Sequence, residues 1–320
     1  MTLLHTLSDG LWHSGVLLGK TCHVSRTAIW KHIKQLNELG VSIISVPHQG
    51  YRLASPLIPL DHKAIRHELI RLGFQQPMDM HLFASLPSTN RFLKEQAPSD
   101  AVITLCAAET QTDGRGRFGR HWHSPFGENI YVSTRWRFHC DLSQLSGLGL
   151  VVSLAIHHTL EEWIGTNDIM IKWPNDLLWH ERKLCGSLIE VIAESHGASD
   201  VVIGIGLNVN SMTETQSIPD KPWCSLYDIT GKQHDRNPLL AKLIANLHQH
   251  VARFMIQGFS GFMAQWHPID YLQHKTITIT GPSGSLRGQA YGVNEAGQLI
   301  LIDDDARTHY FSSGDTSLAY

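Results

Sequence analysis

The stretch GRGRFGR, residues 114–120, constrains this chain more than any other. Its first six letters fit G-x-G-x-x-G, the turn that joins a strand to a helix in a Rossmann unit and seats a pyrophosphate on the helix N-terminus. The following residues forbid that geometry. RHWHSPFGEN carries Pro125 and Gly127 and has no apolar period, so no helix starts there. No Lys-Ser or Lys-Thr closes the stretch as a Walker loop. A regular dinucleotide-binding fold is therefore excluded, and a flexible loop between two strands is expected. Three arginines in seven residues, with no acid among them, repel one another unless an anion sits between them. Guanidinium groups match phosphate and carboxylate geometry, and glycine N–H groups can close over the same anion.

That local charge stands out because the chain as a whole has little. Across 320 residues the net charge is −3 with histidines neutral, which gives no global pull toward nucleic acid or membrane. The length suits two or three domains. Cys22, Cys106, Cys140, Cys185 and Cys224 are scattered and form no C-x-x-C, which argues against a disulfide framework and fits a reducing cytoplasm. The N-terminus, MTLLHTLSDGLWHSG, lacks a basic segment and a long apolar run, so no signal peptide is expected. The apolar run from Leu148 to Ile156 is far shorter than the roughly 20 residues of a membrane span and reads as a buried helix. No membrane association is expected.

The chain divides into three parts. Residues 1–58 read as a winged helix-turn-helix. Ser25 is placed to cap a helix RTAIWKHIKQLNEL, with Ile29, Ile33, Leu36 and Leu39 on one face and Gly40 at its end. A short helix is expected near Gly15 to Lys20, and VSIISV and GYRLA read as two wing strands joined by PHQG. Up to Leu53, Lys20, Arg26, Lys31, Lys34 and Arg52 face only Asp9 and Glu38, a local charge of +3. DNA binding is expected, with Ser25, Arg26, Thr27, Trp30, Lys31 and Lys34 on the recognition face. Trp30 is bulky for that face and leaves the DNA sequence it would read open. ASPLIPLD, residues 54–61, reads as an extended linker.

Residues 61–268 alternate helices and strands. Helices are expected at Lys63–Leu72, Thr89–Gln96, Gln144–Trp163 and Pro238–Gln257. Strands are expected at Ala101–Ala107, Asn129–Trp136, Ile169–Trp173, Leu184–Ile192 and Val201–Asn208. Consecutive strands with little helix between them argue for an α+β domain with a mixed sheet. Residues 269–320 are short strands, KTITIT, LRGQAYGV, QLILI and RTHYF, and read as an SH3-like β-barrel. The pair His121 and His123 in HWH has no Cys or Asp at ligand spacing, so no metal site is assigned there.

GRGRFGRHWHSPFGENIYVS, KWPND and RKLCGSLIE closely resemble the biotin–protein ligase family. SRTAIWKHI and VPHQGYRL in front, PSTN at 87–90 and GIGLNVN at 204–210 extend the resemblance over essentially the whole chain. It is to the bifunctional members, which also act as biotin operon repressors. Lipoate–protein ligases share the catalytic fold but lack this loop and this front domain. The resemblance implies a class II synthetase-like central domain that forms biotinyl-5′-AMP from biotin and ATP with Mg²⁺. Biotin then passes to a lysine of the biotin carboxyl-carrier protein of acetyl-CoA carboxylase. It further implies a homodimer, when adenylate is bound, that binds operator DNA.

The resemblance places biotin against Ser88, Thr89, Asn90, Gln111, Arg115, Gly116, Arg117 and Lys183, with Lys183 and Arg117 as catalytic groups. ATP and adenylate fall to Arg120, Trp122, Lys172, Asn175, Asp176 and Asn208. The residue types suit the chemistry, because a carboxylate must attack a phosphorus already carrying negative charge and cations lower that repulsion. One departure stands out: TSLAY puts Ala319 where the family pattern has an arginine near the ATP phosphates, so no ATP contact is assigned to the last domain. A non-catalytic repressor that senses biotin remains the alternative, as does a ligase whose front domain no longer binds DNA. The first leaves Lys183 and the arginine loop without a role.

Overall fold

The computed structural model describes residues 2–97, 103–195, 197–213, 222–281 and 284–319. Three short helices open it: α1 (Thr2–Leu7), α2 (Gly15–Thr21) and α3 (Arg26–Glu38). Ser25 Oγ caps α3 by accepting from Ala28 N at 3.2 Å, and Ile29, Ile33 and Leu36 form its buried face. Arg26, Thr27, Trp30, Lys31 and Lys34 are exposed on the opposite side, beside the exposed Ser25 cap. The wing is an antiparallel pair, β1 (Ile43–Val46) and β2 (Gly50–Leu53). Gly50 is required at its turn: its φ is +108°, and a Cβ there would lie 2.1 Å from His13 O.

The linker runs into a buried clamp. Arg236 Nη1 lies 2.7 Å from Glu109 Oε2, with both side chains at most 1% exposed. Glu109 Oε1 accepts from Leu60 N at 2.6 Å, and Arg236 Nη2 donates to Ile58 O at 2.9 Å. Asn237 adds bonds to Pro59 O and Asp61 N. Phe126, from the segment after the glycine-arginine loop, packs into the core of the front module beside Leu57.

The central part continues with α4 (His62–Arg71), β3 (Met78–Phe83), α5 (Thr89–Glu95), β4 (Ile103–Ala108) and β5 (Ile130–Phe138). Then come α6 (Leu148–Ile164), β6 (Ile169–Lys172), β7 (Asp176–Trp179), β8 (Arg182–Ser195), β9 (Ala198–Leu207), α7 (Leu226–Thr230) and α8 (Arg236–Gln257). The sheet is mixed, ordered β3-β4-β5-β9-β8-β7-β6, with only the β3/β4 pair parallel. Helices α6, α8 and α4 cover one face and bury the main core. Helix α5 covers part of the other over Leu93, Cys106 and Val202. This leaves the middle of that face open, and the cavity forms there.

Several expectations shift. The helix expected from Gln144 begins at Leu148, because Gly147 turns at φ +84° and a Cβ there would sit 2.6 Å from Phe259. Helices α1 and α7 and strands β3 and β7 go beyond the expected elements; each is short, although Met78, Met80 and Leu82 alternate along β3 and Leu3, Leu4 and Leu7 share one face of α1. The expected start of the first central strand, at Ala101 and Val102, lies outside the described residues. The final part is a five-stranded antiparallel sheet of β10 (Thr276–Gly281), β11 (Gly284–Val293), β12 (Leu299–Asp303), β13 (Thr308–Phe311) and β14 (Asp315–Leu318), ordered β13-β12-β11-β10-β14. Strand β14 adds one to the four expected. Among the described residues, no helix is long and apolar enough to cross a membrane.

Candidate active site

The floor of the cavity is bare backbone. Gly186 on β8 pairs with Gly206 on β9, and Gly204 lies two residues along. A Cβ on Gly206 would fall 2.5 Å from the Trp122 ring, and one on Gly204 would fall 2.1 Å from Asn90 Oδ1. The motif GIGLNVN is thus explained by side chains that lie flat on those two glycines. Above the floor is a cavity of about 480 Å³, in the range of small-molecule sites.

The glycine-arginine loop forms one wall. Trp122 N donates to Gly114 O at 2.8 Å and Gly116 N to Arg120 O at 2.7 Å, so its two limbs run antiparallel. The tip is a single turn of 3₁₀ helix, Arg117–Gly119, in which Phe118 takes φ 57°. No α-helix follows, which agrees with the exclusion of a Rossmann turn. Each arginine has a polar partner from a different direction. Arg115 Nη2 reaches Asp113 Oδ2 at 2.8 Å, Arg117 Nη1 donates to Asn175 Oδ1 at 3.3 Å, and Arg120 pairs with Asp315. Burial draws the Arg117 guanidinium below its usual pKa, and Asp176 and Asp315 oppose that.

KWPND is the turn between β6 and β7, with Lys172 opposite Asp176. It sets Asp176 Oδ1 2.7 Å from Lys183 Nζ, which also lies 5.2 Å from the centre of the Trp122 ring. Backbone bonds from Lys183 N to Pro222 O and from Cys224 N to Lys183 O pin the lysine in place. Lys172 Nζ donates to Thr316 O at 2.6 Å.

At the far end, Thr89 N donates to Gln111 Oε1 at 2.9 Å, and Ser88 caps α5. Ser88, Thr89, Asn90, Gln111, Arg115, Gly116, Arg117 and Lys183 all line this one cavity, as do Arg120, Trp122, Lys172, Asn175, Asp176 and Asn208. Three of them turn their polar groups elsewhere. Asn208 Nδ2 donates to Cys224 O at 3.0 Å and to Lys183 O at 3.4 Å, and Asn175 Nδ2 donates one hydrogen to Ser187 O at 2.5 Å. Asn90 is held on both sides by Ser133 and Glu190.

Sequence reasoning missed Asp315 and Thr316, which bring the last part of the chain into the cavity wall. The only local signal was a single acid before TSL. It also missed Ser133 and Glu190, whose side chains reach the site through Asn90. Among the described residues, no group of three His, Cys, Asp or Glu side chains could hold a metal.

The model of the biotin/lipoate A/B protein ligase family matches residues 82–208, and a helix-turn-helix domain matches residues 2–52. The bifunctional ligase/repressor BirA of Salmonella typhimurium is 34% identical over 95% of this chain and 92% of its own. The BirA protein of Bacillus subtilis is 30% identical over 94% and 92%. The chain belongs to the bifunctional biotin ligase/repressor family. Its ligase part is also similar to solved structures: biotin protein ligase from Aquifex aeolicus, in complex with biotin and ATP, is 29% identical with a TM-score of 0.63. That likeness covers 75% of this ligase/repressor and 98% of the Aquifex chain.

Proposed function

We propose that the residues of this cavity carry out two successive steps of a biotin–protein ligase. The chain is such a ligase: it joins biotin to the AMP part of ATP and then to a lysine of an acceptor protein. In the first step a biotin carboxylate oxygen bonds to the α-phosphorus of ATP, the Pα–O bond to pyrophosphate breaks, and pyrophosphate leaves. In the second, the acceptor lysine amine attacks the carbonyl carbon, AMP leaves, and the amine loses a proton. The observation that carries this reading is Lys183 Nζ at 2.7 Å from Asp176, in the same cavity as Arg115 and Arg117.

Lys183 and Arg117 draw charge off the carboxyl and phosphoryl oxygens, which helps most where charge grows in the transition state. Arg115 holds the carboxylate side, and Gly116 lines it with its N–H spent on Arg120 O within the loop. Trp122 covers the floor with its Nε1 buried against Gly206 and without a protein partner, and its ring offers a face on which the nucleotide base stacks. Mg²⁺ commonly keeps one or two protein carboxylates and rides on substrate phosphates. The carboxylates of the wall are Asp176, paired with Lys183, and Asp315, paired with Arg120, and Asp176 would take that limited role by exchanging its lysine for the ion. The ion would neutralise phosphate charge. The C-terminal sheet, curled as a small SH3-like barrel, lends Asp315 and Thr316 to the wall.

The front module binds operator DNA through the exposed face of α3, and adenylate-bound chains pair through an edge of the central sheet, where β3 and β6 are the outer strands. The acceptor, the biotin carboxyl-carrier protein of acetyl-CoA carboxylase, competes for that edge. A sedimentation experiment with and without adenylate tests the pairing, and an unchanged mass removes it. Mass spectrometry of an acceptor domain incubated with the chain, biotin and ATP tests the ligase reading. Gain of one biotinyl group supports it, and an unmodified acceptor contradicts it.

A further inference from the structure

Asn90 lines the cavity with both amide hydrogens already spent and its Oδ1 already accepting a bond. Its Oδ1 lies 2.5 Å from Ser133 Oγ, and its Nδ2 lies 2.8 Å from Glu190 Oε2 and 3.4 Å from Leu188 O. A carboxylate can only accept, so Glu190 fixes which end of the amide is nitrogen. Lys94 Nζ holds the other Glu190 oxygen at 2.7 Å. Burial pushes the Glu190 carboxyl up, but hydrogen bonds from Lys94 and Asn90 outweigh this and hold it below the usual value. It is therefore ionised near neutral pH.

The polarity propagates inward. Asn90 presents its carbonyl to Ser133, so the single hydroxyl proton of Ser133 points at Asn90. The Ser133 and Thr89 hydroxyl oxygens are 2.7 Å apart, so Thr89 must be the donor between them. A second acceptor within reach of that proton, Gln111 Oε1 at 3.2 Å, also belongs to the protein. Thr89 thus shows the cavity lone pairs alone. Gln111 Oε1 accepts from Thr89 N at 2.9 Å, and its Nε2 donates one hydrogen to Ser124 Oγ at 3.5 Å, which leaves the second Nε2 hydrogen as the outward donor. One end of the cavity carries a fixed acceptor beside a fixed donor.

We propose that Glu190 is a specificity-determining residue that acts through Asn90 and Ser133, setting the Thr89 hydroxyl so that the cavity takes a ring with an N–H beside a C=O, such as a cyclic urea. A ring with an oxygen in place of that N–H meets lone pair against lone pair and is rejected. Glu190 touches no ligand and is a positioning residue. The inference rests on biotin's ureido ring lying at this end.

The test is calorimetry on the full chain with biotin and with its cyclic carbamate analogues, in which a ring N–H is replaced by oxygen. Glu190→Gln frees Asn90 to flip and Thr89 to turn its proton outward. It should lower the urea-to-carbamate affinity ratio by about tenfold or more, with affinity for ATP alone unchanged. The double variant, Asn90→Asp combined with Glu190→Gln, exchanges amide and carboxylate. The amide now at position 190 donates to the carboxylate now at position 90. That carboxylate still accepts from Ser133, and the ratio should return. An unchanged ratio in a folded Glu190→Gln variant overturns the proposal. So does a double variant whose ratio stays low, and this arm decides the matter if the single variant does not fold. No binding of biotin to the unaltered chain overturns both this proposal and the ligase reading; a lost ratio effect with biotin bound overturns this proposal alone.

Discussion

Arg120, on the glycine-arginine loop, pairs its guanidinium with the carboxylate of Asp315, 195 positions further along the chain. The loop is thereby closed against β14, and the last part of the chain lines the cavity although its sequence assigned it no ATP contact. Asp315→Asn removes the charge and keeps the shape. The expected result is a rise of several-fold in KM for ATP with KM for biotin little changed, read by pyrophosphate release. Equal changes in both would contradict a latch on the nucleotide side.

The Glu109–Arg236 pair is expected to matter for stability and for the linker together. Arg236→Leu leaves a fully buried carboxylate without its counter-charge, with only the Leu60 N–H on it, and loss of one partner of a buried pair typically costs about 3–5 kcal/mol. Replacing both partners by leucine should cost less than the single change. Urea unfolding measures both, and faster proteolysis within residues 54–61 should accompany the single variant. A single variant as stable as the unaltered chain would show that the pair does not hold the linker.

His157 is buried on α6, and its Nε2–H donates to Ile169 O at 3.0 Å. Burial draws its pKa below 6.5, and the carbonyl bond opposes this only in part. His234, His248 and His250 shift the same way for the same reason. The folded pKa values are depressed, so the unfolded chain takes up these protons first. The stabilisation is intact above pH 6.5 and is lost as pH falls through the folded values. Each proton contributes a slope of up to about 1.4 kcal/mol per pH unit. Urea unfolding between pH 7.5 and pH 5.5 (about one unit either side of the unfolded His value) should show falling stability, less steep in His157→Gln. A flat profile would contradict the burial argument.

On the front module, Lys31 and Lys34 stand exposed on the face of α3 opposite Ile29 and Ile33. If each meets a phosphate, its replacement by alanine should weaken binding to all sequences alike. The slope of log K against log salt should then fall in size by about 0.9 per contact. Titration of operator and unrelated DNA at several salt concentrations checks this. An unchanged slope would place DNA elsewhere.

Local signals made much of this legible. Ser25 and the spacing of Ile29, Ile33 and Leu36 mark α3, and the Pro125 and Gly127 breaks rule out a Rossmann helix without any structure. What stayed hidden is long-range. Nothing local announces that Asp315 meets Arg120, that Asp176 meets Lys183 across a hairpin, or that Gly204 and Gly206 are bare because Asn90 and Trp122 lie on them. Asn90 read as a ligand contact because it sits in PSTN. Only the positions of Ser133 and Glu190, on separate strands, show that its amide is already committed.

The cavity is expected to trap an acyl-phosphate mixed anhydride beside Lys183. To measure this, the chain is mixed with biotin and ATP labelled at the α-phosphate, protein is separated from free nucleotide, and retained label and released pyrophosphate are quantified. The expected result is stoichiometric biotinyl-adenylate held by the unaltered chain, with Lys183→Ala slowed by roughly 10²- to 10³-fold, as for loss of one transition-state donor. No retained label and no biotin-dependent pyrophosphate from the unaltered chain would contradict the account.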